Sequence, residues 1–155
     1  MGAGILPVAI TKKTTYFLFG LEEYGKKWSD FGGSREKNET RTKTAAREGY
    51  EETDGFLGSE NYLTKQISDN RIEKLNNHDN TYTSYLIKIN YNEDLPVYFN
   101  NHHKFIKHKM PNQINKKGLF EKSKMQWFTK NEIKENIHTF RPHYRDIARQ
   151  ILTLF

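Results

Sequence analysis

The sequence predicts an α/β or α+β sandwich, and three observations predict it. Two short apolar runs stand near the start, a helical pattern covers residues 40–53, and a β-rich run at residues 81–91 is followed by further helical segments. With 155 residues the chain is sized for one domain, residues 1–155, around a single core.

Taken in order, residues 3–10 and 15–19 read as strands joined by the polar turn Thr11-Lys12-Lys13. Residues 22–27 form a charged loop, and Trp28 to Phe31 lead into Gly32-Gly33. A second short helix is expected at residues 59–67, capped by Ser59. The run 81–91 is rich in Tyr, Thr and Ile, residue types that suit a pleated, half-buried surface. Residues 96–107 read as a helix with Pro96 near its first turn. A final strand is expected at 125–128, and Thr129 with Glu132 makes a capping-box pattern. Residues 141–155 close the chain as an amphipathic helix, with Pro142 in its first turn and Ile147, Ile151 and Leu154 on one face.

Composition narrows the classes of function. Hydrophobic residues are 35% and charged residues 28%, but 14% are aromatic, enough bulky material for a core. There is no cysteine, which excludes a disulfide framework and a thiolate metal site. No apolar run approaches a membrane span and no signal pattern opens the chain, so a soluble, cytoplasmic protein is expected. The net charge of +6 favours polyanionic partners such as phosphates and RNA. An excess of Lys and Asn would also follow from an A/T-rich genome, so charge alone decides nothing.

The informative stretch runs from Gly33 to Gly55. On a helix over 40–53, Glu48, Glu51 and Glu52 share an arc of roughly 100°, with Ala45, Ala46, Gly49, Tyr50 and Thr53 opposite. Like charges at this spacing repel by a few tenths of a kcal/mol per pair, so something must neutralise them. Clustered hard oxygen donors suit Mg²⁺ or Mn²⁺, ions that commonly also hold substrate phosphates. Arg47 precedes Glu51 by four residues, the weaker order for helix support, and is assigned to orienting the acidic cluster. Glu39 is its expected ionic partner and Thr40 the expected N-cap.

These residues resemble the Nudix box: Gly, five residues, Glu, seven residues, Arg-Glu, an aliphatic residue, any residue, Glu-Glu, any residue, Gly. Gly33, Glu39, Arg47, Glu48, Glu51 and Glu52 all match in spacing. If each type occurs at roughly one position in fifteen, six matches arise by chance about once in ten million starts. Two positions depart. Gly49 replaces the aliphatic residue, and Asp54 stands where the helix-ending glycine belongs, so the helix is expected to end one residue later on a left-handed Gly55.

The resemblance implies an α/β/α sandwich with a mixed, curved sheet between helices. It implies a hydrolase, a pyrophosphatase dependent on magnesium or manganese, that cleaves a nucleoside diphosphate linked to another moiety. Its metal ligands would be Glu48, Glu51, Glu52 and the Gly33 carbonyl, with Gly32, Glu39 and Gly55 structural and Arg47 assisting. The general base is either a box glutamate or Glu121, six residues before Trp127; Glu121 reads equally well as a solvated loop carboxylate. Lys26, Lys27, Trp28 and Arg35 are candidate substrate-binding residues, although Trp28 also suits core packing and the cations a solvated loop. His102, His103 and His108 lack close companions for zinc and read as a polar helix surface.

The partner is a nucleotide-derived small molecule, with specificity set by the loops at 22–27 and 92–118, and the assembly is a monomer or homodimer. Two other readings compete. Lys104, Lys107, Lys109, Lys116 and Lys117 would guide RNA to a cap-hydrolysing (decapping) enzyme, and a Nudix module without turnover would simply bind nucleotides or RNA.

Overall fold

In the computed structural model, which describes residues 1–114 and 119–155, the chain alternates strands and helices. The strands are β1 (Gly2–Ile10), β2 (Thr15–Glu22), β3 (Trp28–Ser29), β4 (Phe31–Ser34), β5 (Arg71–Asn76), β6 (Tyr82–Lys88) and β7 (Lys122–Phe128). The helices are α1 (Arg41–Glu52), α2 (Glu60–Asp69), α3 (Asp94–Lys109), α4 (Lys130–Glu135) and α5 (Arg145–Leu154).

Among the described residues the strands form one mixed sheet in the order β3-β2-β1-β6-β5, with β4 also on β1 and β7 on β2. β1 runs parallel to β6, and the other pairs are antiparallel. The second edge of β1 is shared: Gly2 to Ile5 pair with β4, and Val8 to Ile10 with β2. Pro7, which has no N–H to give a ladder, falls in the gap between those partners.

Side chains alternate across the sheet with period two. Ala3, Ile5 and Ala9 of β1, Leu18 of β2 and Tyr85 and Ile87 of β6 face α1, α2 and α3 in one core. Leu6, Val8, Phe17, Phe19 and Leu86 face α4, α5 and the Phe140–Tyr144 pair in the other. The sheet is therefore sandwiched between helices, the expected α/β/α architecture.

The caps follow the sequence. Thr40 accepts a hydrogen bond from the Lys43 N–H, Ser59 from Tyr62, and Thr129 with Glu132 forms a full capping box. The end of α1 differs from expectation. The helix stops at Glu52 with Thr53 as its cap, and Asp54 itself takes a left-handed φ of 51°, followed by Gly55 at 76°. Further along, β6 ends at Lys88, α3 is longer than expected at both ends, and β7 begins three residues earlier, at Lys122. Pro142 opens a 3-10 turn rather than α5, and Leu154 is exposed; Ala148 joins Ile147 and Ile151 in the core. β5 was not legible because it is an edge strand with Leu75 its one buried residue. Among the described residues no helix is long and apolar enough to cross a membrane.

Candidate active site

The site is built where the Gly32-Gly33-Ser34 end of β4 meets the acidic face of α1. Gly33 pairs with Ala3 of β1, and a Cβ at Gly33 would sit 2.6 Å from the Glu48 carboxylate. Only glycine allows the strand to approach the helix this closely. The Gly32 N–H donates to Glu52 Oε2 at 2.9 Å, fixing that carboxylate against the strand.

Arg47 ties the face together. Its Nε donates to Glu39 Oε1 at 2.7 Å and its Nη2 to Glu39 Oε2 at 3.1 Å and to the Ser34 carbonyl at 3.0 Å. Its Nη1 reaches Glu48 Oε1 at 2.9 Å and Glu51 Oε2 at 3.2 Å. Glu39 also accepts from the Glu36 N–H and from the Thr44 hydroxyl. The Arg47 guanidinium, helped by those donors, holds the Glu39 carboxyl down at about 2. Burial pushes the carboxyls of Glu48 and Glu51 up, and Arg47 opposes it in both. Glu52, only 3% exposed, is raised furthest, again by burial.

Glu48, Glu51, Glu52, Arg47, Gly33 and Glu36 line an open cavity of about 560 Å³, within the usual range for small-molecule sites. Arg35 and Glu121 are in the same lining, and Glu121 lies immediately before β7. Among the described residues the lining does not include Lys26, Lys27 or Trp28. Trp28 packs edge-on against Phe128 at 4.9 Å, and its carbonyl accepts from the Arg141 N–H. Of the lysines named for RNA, Lys104, Lys107 and Lys109 are exposed on α3, whereas Lys116 and Lys117 lie outside the described residues.

Three groups near the site had no sequence signal. Lys122 is 1% exposed; its Nζ donates to the Ser29 hydroxyl at 2.7 Å and lies 3.8 Å from Glu52 Oε2. Asp30, equally buried, accepts from the Tyr82 and Ser84 hydroxyls at 2.7 and 2.6 Å, and burial raises its carboxyl to about 6. Arg141 reaches the cavity because the bridge between Trp28 and Phe140 carries it there; its Nε pairs with Glu22 at 2.9 Å. Arg141 also borders a second, adjoining cavity of about 260 Å³, floored by Tyr82 and His143 and sharing Gly32, Gly33 and Ser34 with the first. Lys122 and Arg141 lie far along the chain from the box, and Asp30, three residues before Gly33, finds its partners Tyr82 and Ser84 more than fifty residues away, so local pattern gave no hint.

The histidine reading needs correction. His103 is buried, with Nε2 2.9 Å from Glu23 Oε2, while His102 is partly covered and His108 exposed.

Among the described residues no group of three or more His, Cys, Asp or Glu side chains stands, as placed, where it could hold a metal ion. The donor set nevertheless fits a hard dication. The donors are all carboxylate oxygens on one helix face, burial disfavours their charge, and the cavity before them is open.

No protein-family model and no curated protein sequence matches the chain. Solved structures do. An Ap4A hydrolase from C. elegans, as a binary complex, superposes with a TM-score of 0.58 at 16% identity, covering 99% of this chain and 96% of that one. A bifunctional NMN adenylyltransferase/ADP ribose pyrophosphatase from Francisella tularensis, complexed with AMP and a Mn ion, gives 0.59 at 15% identity, covering 97% of this chain and 40% of that one. The NUDIX domain of Shewanella oneidensis NrtR, complexed with ADP ribose, gives 0.51 at 11% identity over 98% of this chain and 82% of that one. With its mixed sheet between helices superposing on these structures over nearly the whole of its length, this chain has the Nudix fold.

Proposed function

We propose that the chain is a Mg²⁺- or Mn²⁺-dependent Nudix hydrolase that cleaves the pyrophosphate bond of a nucleoside diphosphate linked to another moiety. The observation that carries this reading is the Arg47-braced carboxylate face of α1 opening on a cavity of about 560 Å³ beside Gly33. Glu48, Glu51, Glu52 and the Gly33 carbonyl would hold the ion, which when bound neutralises the diphosphate and acidifies water.

The chain's own residues do the rest. Arg47 keeps Glu48 and Glu51 oriented toward the cavity. Arg35 and Arg141, on its lining, oppose phosphate charge and place the anhydride. The adjoining cavity beside Tyr82 and His143 offers room for one arm of the substrate. Glu121 accepts a proton from the attacking water. The new bond joins that water's oxygen to one phosphorus, the bridging P–O bond breaks, and two phosphorylated fragments leave.

The test is a turnover panel with Mg²⁺ or Mn²⁺ and the Glu52→Gln and Glu121→Gln variants alongside. It spans nucleoside triphosphates, dinucleoside polyphosphates, nucleotide sugars, NADH, ADP-ribose, diphosphoinositol phosphates and capped RNA. Turnover of one class, nearly abolished in Glu52→Gln, is expected. An unchanged rate in Glu121→Gln at saturating Mg²⁺ returns the base to a box glutamate. Absence of turnover in wild type that still binds a divalent ion would move the reading to a non-catalytic binding module.

A capped RNA is the second reading, favoured by one observation. Exposed Tyr98 and Phe105 alternate with Lys104 and His108 on the solvent face of α3, a pattern suited to base stacking beside phosphates. Capped-RNA affinity that falls steeply with salt supports it, and a flat response rejects it.

A further inference from the structure

Asp54 stands where the box pattern has glycine, and it pays a conformational cost to be there. Its φ of 51° is strained for any side chain, and its carboxylate is largely buried. That carboxylate makes a long contact across the fold: Oδ1 accepts from the Phe120 N–H at 3.4 Å. Oδ2 faces Nδ1 of His102 at 3.7 Å, too long for a hydrogen bond, and neither of those two buried atoms has a hydrogen-bond partner among the described residues. The His102 ring in turn packs beside Phe56 and Phe120, with centroids at 5.3 and 6.1 Å.

The next residues of α3 reach the other side of the same segment. His103 Nε2 lies 2.9 Å from Glu23 Oε2, and Lys107, one turn on, donates to Glu23 Oε1 at 2.7 Å. The Glu23 backbone N–H donates to the Glu121 carbonyl at 2.8 Å. One turn earlier, Asn100 accepts from the Met125 N–H at 2.9 Å and so anchors β7 itself. The segment Phe120-Glu121 is thus gripped on both flanks, by the Asp54 carboxylate and by the Glu23 backbone N–H, and α3 faces the carboxylates of both residues.

We infer that Asp54 and Glu23 are positioning residues for Glu121: Asp54, faced by His102, fixes the Phe120 amide, and Glu23, clamped by His103 and Lys107, fixes the Glu121 carbonyl. The inference rests on the proposed hydrolase reading only for the consequence, which is that the Glu121 carboxylate stays over Glu48, Glu51 and Glu52. It explains why an acidic residue replaces the helix-ending glycine at position 54 and why His103 is buried. A purely structural role makes the opposite forecast for stability. Asp54→Gly relieves the left-handed strain and removes a buried, half-satisfied carboxylate, so the fold should lose nothing.

The experiment is amide hydrogen exchange read by NMR on the metal-free, substrate-free protein, with thermal unfolding and kinetics in parallel. In Asp54→Gly the Phe120 amide should exchange about tenfold faster while Tm stays level or rises. In Glu23→Gln the Glu23 amide should behave likewise. On the substrate found by the panel, Asp54→Gly should lower kcat by about tenfold with KM nearly unchanged. Asp54→Asn, whose amide oxygen still accepts from Phe120 and whose NH₂ faces His102, should recover most of that loss. Exchange at Phe120 and Glu23 indifferent to both substitutions would overturn the inference. Faster exchange in a protein whose wild type turns over nothing would uphold the tether and sink the hydrolase reading alone.

Discussion

Arg47 grips Glu39 in a fork, Nε to Oε1 at 2.7 Å and Nη2 to Oε2 at 3.1 Å, and the remaining nitrogen reaches forward to Glu48 and Glu51. One planar cation therefore links Glu39, just ahead of the Thr40 cap of α1, to two carboxylates on the cavity wall. Lysine, a point charge without that plane, cannot make both the fork and the forward contacts. Arg47→Lys should keep the fold, by circular dichroism, and lower kcat by about a hundredfold through misplaced carboxylates. A rate within twofold of wild type would show that the fork has no part in the chemistry.

The same fork sets an acid limit. Glu39 is held at about 2, below its ordinary 4.5, so its contribution is fully present above about pH 4.5 and disappears as pH falls through 2. Glu39→Gln should cost about 2 kcal/mol at neutral pH, the scale of a charge-assisted hydrogen bond, and less as acid protonates the wild type. Denaturant titrations of both proteins at stepped pH would show the two curves converging toward low pH. Parallel curves would contradict the assignment.

Gly49 departs from the box because Ile5 occupies its space. A Cβ there would come within 2.6 Å of Ile5 Cδ1 and 2.9 Å of its Cγ1, and Ile5 is fully buried. Alanine gains about 1 kcal/mol of helix propensity, but overpacking a filled core costs about 1–3 kcal/mol, so Gly49→Ala should be destabilising on balance. Adding Ile5→Val removes the colliding methyl, and the double variant should be more stable than the two single losses sum to. Simple additivity in urea unfolding would count against the packing explanation.

Asp30 gives the opposite pH signature to Glu39. Its carboxyl is raised to about 6 from 3.8, so the folded state holds a proton that the unfolded state releases. The stabilisation is complete below about pH 3.8 and is lost as pH rises through 6. At about 1.4 kcal/mol per pH unit between those values, the loss is about 3 kcal/mol for a fully buried group. Asp30→Asn cannot titrate, and its stability should fall less steeply over that interval. Equal slopes in the two proteins would show that Asp30 does not carry the dependence.

The box helix was legible because everything about it is local. The Thr40 cap, the small face of Ala45 and Ala46, and the arc of Glu48, Glu51 and Glu52 all follow from residues within four places of each other. The strands β1, β2 and β6 were legible for a similar reason, since apolar runs must be buried on a sheet. The sequence by itself determined the acidic face, the close-approach glycine at its foot and the fold able to bring them together. Tertiary structure alone decided what stands around them. Lys122 approaches Glu52 across 70 residues, Asp30 reaches Tyr82 across 52, and His103 meets Glu23 across 80. Polar side chains such as these have no period and no preferred neighbour in sequence. Only the folded chain removes them from water, and a buried polar group then needs whichever partner the topology supplies.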